Sequence, residues 1–285
     1  MRYPNRVLVA LAALAPAAAG AQQWRTVETA RQLTATDPLA VTIRYAAGHL
    51  ELRPVEGRLL YQMRIRYDEQ AMDALHQYDA ADHRLQLGLR SANVGWRAMK
   101  SMHGEKGGSM SVGLTSELPM ALDVELGGVE ADMDLGGLRI TQLKLASGLA
   151  GVKVDFSSPN AVVMERMSLD LGLGGLKLEN VGNANVAEIS IDGGLGGIAL
   201  DFGDVVAHDV KINADMALGE LRIGVPRNVG VMVQGDLKGG TFDRQIGFMR
   251  KDNAWYSLNW NEASRRITVV TSSTLANLKV VPTGQ

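Results

Sequence analysis

The 285-residue sequence contains no cysteine, which excludes disulfide bonds and thiolate metal sites. Phe, Trp and Tyr make up only 5% of it, so any interior must be packed mainly from aliphatic side chains. The formal net charge is −2, which gives no indication of a nucleic-acid partner. Stability must therefore come from apolar packing and from the hydrogen-bonded backbone.

Catalytic and ligand-binding motifs are missing as well. The five histidines show no HExxH motif or other paired spacing. Residues 194–199 fit the pattern GxGxxA, but alternating strand residues follow where dinucleotide binding needs a helix. Calcium-binding glycine repeats carry an aspartate after the glycines, whereas Ile198 and Ala199 follow Gly196-Gly197 in this chain. The sequence therefore predicts no catalytic residues, no cofactor and no metal, and so not an enzyme.

The first 21 residues have the features of a secretory signal peptide. Arg2 and Arg6 precede an apolar run that ends in Ala19-Gly20-Ala21. Cleavage after Ala21 would leave 285 − 21 = 264 residues with a net charge of 27 − 31 = −4. No later stretch is apolar over the ~20 residues that a membrane helix needs. We expect a soluble, periplasmic or secreted protein without a transmembrane segment.

Leucine-led tetrapeptides recur through the middle of the chain. The intervals between their leading leucines are 149 − 126 = 23, 173 − 149 = 24, 195 − 173 = 22 and 218 − 195 = 23. A period in this range is typical of stacked units that are each too small to bury a core alone. The five copies are Leu126-Gly127-Gly128-Val129, Leu149-Ala150-Gly151-Val152, Leu173-Gly174-Gly175-Leu176, Leu195-Gly196-Gly197-Ile198 and Leu218-Gly219-Glu220-Leu221.

Alternating apolar and polar residues surround each tetrapeptide. They follow it in residues 152–156 (VKVDF) and precede it in residues 143–145 (LKL), which indicates two strands joined by a glycine corner. An additional match at residues 135–138 (LGGL) falls out of register and is predicted to form the opposite corner of the first unit. The pattern predicts an all-β fold, a parallel β-solenoid with a narrow aliphatic interior. Any function must then lie on the outer faces, at the ends or in insertions.

The remaining segments are predicted to cap this solenoid. Residues 22–117 form a β-rich opening section, in which residues 69–76 (EQAMDALH) are predicted as one or two helical turns. The repeats occupy residues 118–225, and residues 226–285 hold an insertion and a final coil that begins 275 − 218 = 57 residues after the fifth copy. Trp255, Tyr256 and Trp260 of the insertion would cover exposed strand edges or form a partner-binding surface.

Charged residues are predicted to stack on the outer face in two adjacent columns. A mostly basic column holds Glu130, Lys153, Lys177, Ala199, Arg222 and Lys279, and an acidic column holds Asp132, Asp155, Glu179 and Asp201. One interpretation is lateral ion pairing that keeps the face soluble, and the other is a recognition stripe for an anionic envelope polymer. The candidate partner-binding residues are Lys153, Lys177, Arg222, Trp255, Tyr256 and Trp260.

Long parts of the sequence resemble one family. Residues 111–159, then LRIGVPRNVGVMV at 221–233 and TVVTSSTLANLKVV at 268–281, are similar to the toast-rack domains of LiaF-like and putative-adhesin proteins of bacterial envelopes. The resemblance also includes residues 40–54 and 59–68, and it implies a right-handed β-solenoid without catalytic residues. Some members take part in cell-envelope stress signalling. LiaF-like proteins commonly carry membrane-spanning segments, whereas this chain has a predicted cleavable signal.

Two hypotheses for the function follow. The leading one is a non-enzymatic, exported repeat protein that acts as an interaction or adhesin-like module of the bacterial cell envelope, including a role in envelope stress. Its partner would be an unidentified envelope protein or polysaccharide. The alternative is a carbohydrate-active enzyme, because parallel β-helices include polysaccharide lyases. Those enzymes use aromatic platforms in a long groove, and the repeats contain almost no aromatic residues.

Overall fold

The computed structural model describes residues 23–91 and 108–283, and the predicted signal peptide, residues 1–21, lies outside this part of the chain. The fold is all-β, as predicted: the described residues form one sheet of 16 strands and a single short 3-10 turn at Val181–Ala184. Within the described ranges, no helix has the length and apolar character needed to cross a membrane.

Seven long strands form the centre of the sheet, and each of them runs parallel to its neighbours within this set. Consecutive repeat units are therefore neighbours in space as well as in sequence. In their order across the sheet, these strands are β2 (Leu39–Pro54), β7 (Pro119–Asp134), β8 (Arg139–Asp155), β9 (Met164–Glu179), β10 (Val186–Asp201), β11 (Val210–Val225) and β16 (Arg265–Pro282).

The register confirms the predicted repeat from β8 onwards. Five leading leucines lie beside one another on five neighbouring strands: Leu149, Leu173, Leu195, Leu218 and Leu275. The last of them begins the predicted final coil, so the 57-residue interval before it (275 − 218) is an insertion between two stacked strands.

Leu126 does not belong to this column, and its predicted place is wrong. It pairs with Ser147, so β7 and β8 are offset by 147 − 126 = 21 residues instead of 23. Leu126 is only 5% exposed because it occupies an inward-facing column with Ser147 on β8 and Leu171 on β9. The sequence of this tetrapeptide matches the other copies, but its leading leucine is buried whereas theirs are exposed.

Each long strand continues through the glycine corner, so the two predicted strands of a unit form one strand. In β10, Ile189 and Ile191 are buried before the corner and Ile198 and Leu200 after it. The inward side thus changes from odd to even residue numbers across the corner. The buried side chains of successive strands join in one cluster of mostly aliphatic residues, as the sequence predicts.

On three of the long strands, one position of the corner requires glycine. Gly196 has φ 151°, and a Cβ atom there would lie 1.9 Å from the carbonyl oxygen of Gly174 on the neighbouring strand. Gly174 and Gly219 repeat this geometry one strand away on either side. A side chain on any of these three strands would therefore push the stacked corners apart, whereas the register partners on the flanking strands β8 and β16 are Ala150 and Ala276.

At its N-terminal end, the sheet divides along the two halves of β2. The first half pairs in parallel with β5 (Arg84–Ser91), which pairs antiparallel with β4 (Met72–Asp79). The second half pairs in parallel with β6 (Ser109–Leu114), which is followed antiparallel by β3 (Leu59–Asp68) and β1 (Trp24–Gln32). The sheet as a whole is therefore mixed, and not parallel throughout.

The helical turns predicted at residues 69–76 are wrong. Residues 69–71 form a turn and β4 begins at Met72. The strand pairs with β5 along its whole length, and both Met72 and Leu75 are buried. Pairing with a neighbouring strand outweighs the local helical preference of this short segment.

The C-terminal insertion adds strands to both halves of β16. β12 (Val229–Leu237) pairs in parallel with the first half, and β15 (Ala254–Ser257) and β14 (Phe248–Lys251) continue from it antiparallel. β13 (Phe242–Arg244) pairs in parallel with the end of β16. The edge of the last long strand is thus covered on both sides of its corner.

Candidate binding groove

A shallow groove crosses the outward face of the long strands just after their corners. Its floor is backbone, because Gly151, Gly175 and Gly197 are register partners on three adjacent strands. A Cβ atom at any of the three would meet nothing within 4 Å. Packing therefore does not require glycine here, and the missing side chains create the groove.

The groove is long and narrow in proportion to the sheet. Its volume is about 590 Å³, and it runs from His49 on β2 to Glu220 on β11. These are six adjacent strands, so five intervals of ~4.8 Å give a length of ~24 Å. Such a shape fits an extended chain better than a compact small molecule.

One wall of the groove is the predicted basic column with a corrected first member. Glu130 pairs with Gly151 on the floor, and Asp132 is the residue beside Lys153. The predicted placement of Glu130 in the basic column is therefore wrong. The cause is the 21-residue offset between β7 and β8, which also displaces Leu126. The column consists of Asp132, Lys153, Lys177, Ala199, Arg222 and Lys279.

The acidic column lies two residues further along each strand, and it starts at Asp134 instead of Asp132. Asp134 pairs with Asp155, and Asp155 with Glu179. Glu179 accepts from Lys177 Nζ at 2.6 Å and from Lys153 Nζ at 2.9 Å. Both contacts lower the pKa of Glu179, and the hydrogen bond from Lys177 has the largest effect. The hydrogen bond to Glu179 raises the pKa of Lys153. Lateral ion pairing, one of the two predicted interpretations, is thus present.

The charges along the groove balance. Three cations, Lys153, Lys177 and Arg222, face three acids, Glu130, Asp132 and Glu220, so the formal sum is 3 − 3 = 0 with His49 neutral. Lys153 and Lys177 occupy the middle strands, Glu130 and Asp132 lie together on β7, and Arg222 lies beside Glu220 on β11. This distribution suits isolated anionic groups on a partner better than a uniform polyanion.

The predicted aromatic residues lie away from the groove. Trp255 and Tyr256 lie on β15, which is joined through β12 to the first half of β16, and Trp260 lies in the turn after β15. The groove follows the second half of each strand. Trp255 packs edge-on against Phe242 at 6.2 Å, with the Arg244 guanidinium 4.3 Å from its ring. Tyr256 and Trp260 form a separate edge-on pair at 5.3 Å. The six predicted partner-binding residues therefore form two surfaces, and the structure does not bring them together.

The structure also exposes a surface to which the sequence prediction gave no role. We call it the leucine ridge: Leu149 (57% exposed), Leu173 (44%), Leu195 (48%), Leu218 (46%) and Leu275 (55%). The sequence signal was ambiguous, because Leu195 follows the inward-facing Ile191 by four positions and precedes the inward-facing Ile198 by three, and these two spacings predict opposite orientations. On a strand, residues an odd number apart face opposite sides.

The N-terminal domain of toast_rack, DUF2154, matches residues 19–179 of this sequence. This match spans 179 − 19 + 1 = 161 of the 285 residues, which is more than half. The chain belongs to the toast-rack family. The resemblance seen in the glycine corners and alternating strands is thereby confirmed. No curated protein sequence matches this toast-rack chain significantly.

Several solved structures are similar to this toast-rack protein at low identity. A putative cell adhesion protein from Clostridium sporogenes is 14% identical with a TM-score of 0.44, covering 91% of this chain and 100% of its own. A putative adhesin from Bacteroides fragilis is 9% identical at 0.43, covering 92% and 98%. A putative lipid binding protein from Parabacteroides distasonis is 11% identical at 0.44, covering 90% and 96%. TM-scores below 0.5 do not define the function of this chain.

Proposed function

We propose that this toast-rack protein is a non-enzymatic, exported binding module of the bacterial cell envelope, adhesin-like in that it holds an extended partner in its groove. The observation that carries the proposal is the groove floor. Three glycines on adjacent strands leave it open although packing would tolerate side chains there. Its length of ~24 Å fits a chain that lies across the strands.

The proposed contact residues are Lys153, Lys177 and Arg222 on the groove wall. An anionic group of the partner would share Lys153 and Lys177 with Glu179, which holds both of them in the free protein. Because the groove has no net formal charge, we propose a partner with isolated anionic groups, as in an envelope polysaccharide or an extended protein segment. Trp255, Tyr256 and Trp260 are proposed as a second, separate contact surface.

The finer features predicted from the family resemblance and from the signal-peptide pattern belong to the same proposal. They are a right-handed winding of the parallel strands, a periplasmic or secreted location after cleavage behind Ala21, and a role in an envelope stress response. The proposed domain division has residues 22–117 and 226–285 as caps around the repeats at 118–225. The added strands beside β2 and β16 support the capping role.

A polysaccharide lyase would need more than the groove offers. Its wall presents acids and bases, but none of its described lining residues is Phe, Tyr or Trp. Sugar rings pack against aromatic platforms in such enzymes, and the aromatic residues of this chain cluster in the insertion instead. This arrangement favours binding over cleavage.

Neutralising the groove wall tests the proposal. The variant K153Q/K177Q/R222Q should bind cell-wall or lipopolysaccharide fractions at least about tenfold more weakly, because it removes the cations of the groove. The control K144Q/R166Q/K211Q makes the same charge change on the first half of the strands. Two of its cations likewise share one glutamate, Glu188. The control should bind normally.

Equal binding by the groove variant, the control and the unaltered protein would overturn the groove proposal. In that case, Y256A and W260A variants assign the partner to the insertion surface if they weaken binding. Release of new reducing or unsaturated ends from a panel of polysaccharides would overturn the non-enzymatic part.

A further inference from the structure

We propose that the leucine ridge is a self-association surface, on which a second copy of the chain docks around a twofold axis parallel to the ridge. The ridge itself is not part of the groove, although the docked copy also contacts the basic wall, and the inference goes beyond the proposed function. Four strand intervals of ~4.8 Å give the ridge a length of ~19 Å. A continuous apolar strip of this kind on an exported protein points to a protein contact.

The ridge has a shape that is complementary to its own surroundings. Gly148, Gly172 and Gly194 directly precede three of its leucines, and Gly151, Gly175 and Gly197 follow two positions after them. The leucines therefore project between two strips that lack side chains. Two ridges can lie side by side, each on the glycine strip of the other copy, and a twofold axis makes this contact reciprocal.

An unpaired acidic column flanks the ridge on the side away from the groove. Asp170, Asp192 and Asp215 are register partners on β9, β10 and β11, and all three are exposed. Within the described residues, no Lys, Arg or His nitrogen lies within 4.0 Å of their carboxylates. Like charges on adjacent strands repel each other, so cations from a second molecule would relieve this repulsion.

The positions of the charged residues favour a twofold axis that is parallel to the ridge. The aspartates lie three residues before the leucines and the basic column four residues after them, on opposite sides of the ridge. Rotation about an axis parallel to the ridge places each strand opposite the same strand of the second copy. It also brings the aspartate side of one copy over the basic side of the other. Lys177 then faces Asp170 of the second copy, both on β9, and Arg222 faces Asp215 of the second copy, both on β11. An axis across the ridge would instead place aspartates over aspartates.

One like-charged pair remains in this arrangement, on β7, where Asp132 faces Glu125 of the second copy. Glu125 already accepts two hydrogen bonds from Arg44, at 2.9 and 3.3 Å, which reduces its repulsion. A membrane is a poorer occupant of the ridge than a second copy. The unpaired aspartates beside the ridge would face the anionic headgroups of a bilayer.

The contact should be weak. From the aspartate column to the basic column each strand contributes 199 − 192 + 1 = 8 residues, or ~26 Å, so the surface is roughly 500 Å² per copy. The total of roughly 1,000 Å² is at the lower limit of specific interfaces. We therefore expect a dimer that depends on concentration and loosens at high salt. A second copy in this position also covers the groove, so the dimer and the groove partner compete.

Sedimentation velocity of the mature chain over a concentration series, without any ligand, tests the ridge. L173T/L195T/L218T should weaken the dimer at least about tenfold, because it removes apolar contact and keeps a residue favoured in strands. The matched control V163T/V205T/L258T changes three exposed apolar residues away from the ridge and should leave the dimer intact. A monomer at all concentrations, or equal effects of the two variants, overturns the proposal whatever the groove binds.

Charge exchange tests the axis. D170K and K177D should each weaken the dimer, and the combination D170K/K177D should restore it, because the exchanged charges attract across the interface again. D215R/R222D gives the same test on β11 if the first pair impairs folding, which circular dichroism would reveal. Strengthening by D170K alone, or failure of both combinations to restore association, overturns the parallel axis.

Discussion

At the scale of single residues, glycine serves two purposes in the repeats. Gly196 lies at the corner, where its φ of 151° and the nearby carbonyl oxygen of Gly174 leave no room for a side chain. Gly197, the next residue, faces open space. The first glycine is needed for stacking the corners, and the second shapes the groove floor.

Alanine substitutions separate the two purposes. Gly196→Ala should lower the free energy of unfolding by about 1–3 kcal/mol, because alanine is strained at this φ and its methyl group meets the neighbouring strand. Gly197→Ala is the matched control and should change the free energy by less than about 0.5 kcal/mol. Chemical denaturation followed by circular dichroism measures both. Equal losses would contradict the separate roles.

At the scale of strands, register decides which side chains meet. The 21-residue offset between β7 and β8 (147 − 126) places Asp132 beside Lys153 and leaves Glu179 as the acid that Lys153 and Lys177 share. These contacts lower the pKa of Glu179. A carboxyl group with a lowered folded pKa stabilises the fold above its unfolded pKa of ~4.3, and this stabilisation disappears as the pH falls through the folded pKa.

Glu179→Gln should therefore lower the melting temperature at pH 7, and the difference from the unaltered protein should vanish when the pH falls below the folded pKa. Thermal unfolding measured from pH 7 down to about pH 2 would show the convergence. Glu56→Gln is the control, because Glu56 is exposed and has no ion pair within the described ranges. A difference between the Glu179→Gln variant and the unaltered protein that is independent of pH would contradict the electrostatic explanation.

At the scale of the whole molecule, parallel strands in the middle are covered by mixed strands at both ends. β5 and β6 extend the two halves of β2, and β12 and β13 extend those of β16. The last strands on these paths are short or charged, which protects the sheet from pairing with other chains through its edges. The groove and the leucine ridge lie side by side on the outward faces, which are therefore the surfaces for the proposed contacts.

The sequence was sufficient to predict the repeat because a small residue recurs at the corner at the same interval, glycine on three strands and alanine at Ala150 and Ala276. The register of Leu149 with Leu173, Leu195, Leu218 and Leu275 follows directly from that periodicity. Leu126 was misplaced because a leucine before two glycines occurs both at an exposed corner and at an inward position. Only the neighbouring strand distinguishes the two.

The candidate site could be predicted in part. The column of Lys153, Lys177 and Arg222 follows from the period, and the pairing of the two lysines with Glu179 follows from the adjacent acidic column. The groove could not be predicted, because an exposed glycine and a glycine required at the corner have the same letter. The exposure of the ridge also escaped prediction, since it depends on the change of the inward side at the corner.

The most direct test of the account is the distance between two ridge positions that are far apart in sequence. Because the chain has no native cysteine, L149C/L275C can be spin-labelled specifically and measured by pulsed electron resonance in dilute, monomeric protein. The positions are 275 − 149 = 126 residues apart but only four strand intervals apart in the sheet. If the corners are stacked, the distances between the two labels should form one narrow distribution centred at ~19 Å, broadened by a few ångströms because of the labels. A broad distribution, or one centred beyond about twice that distance, would contradict the stacking on which the groove and the ridge depend.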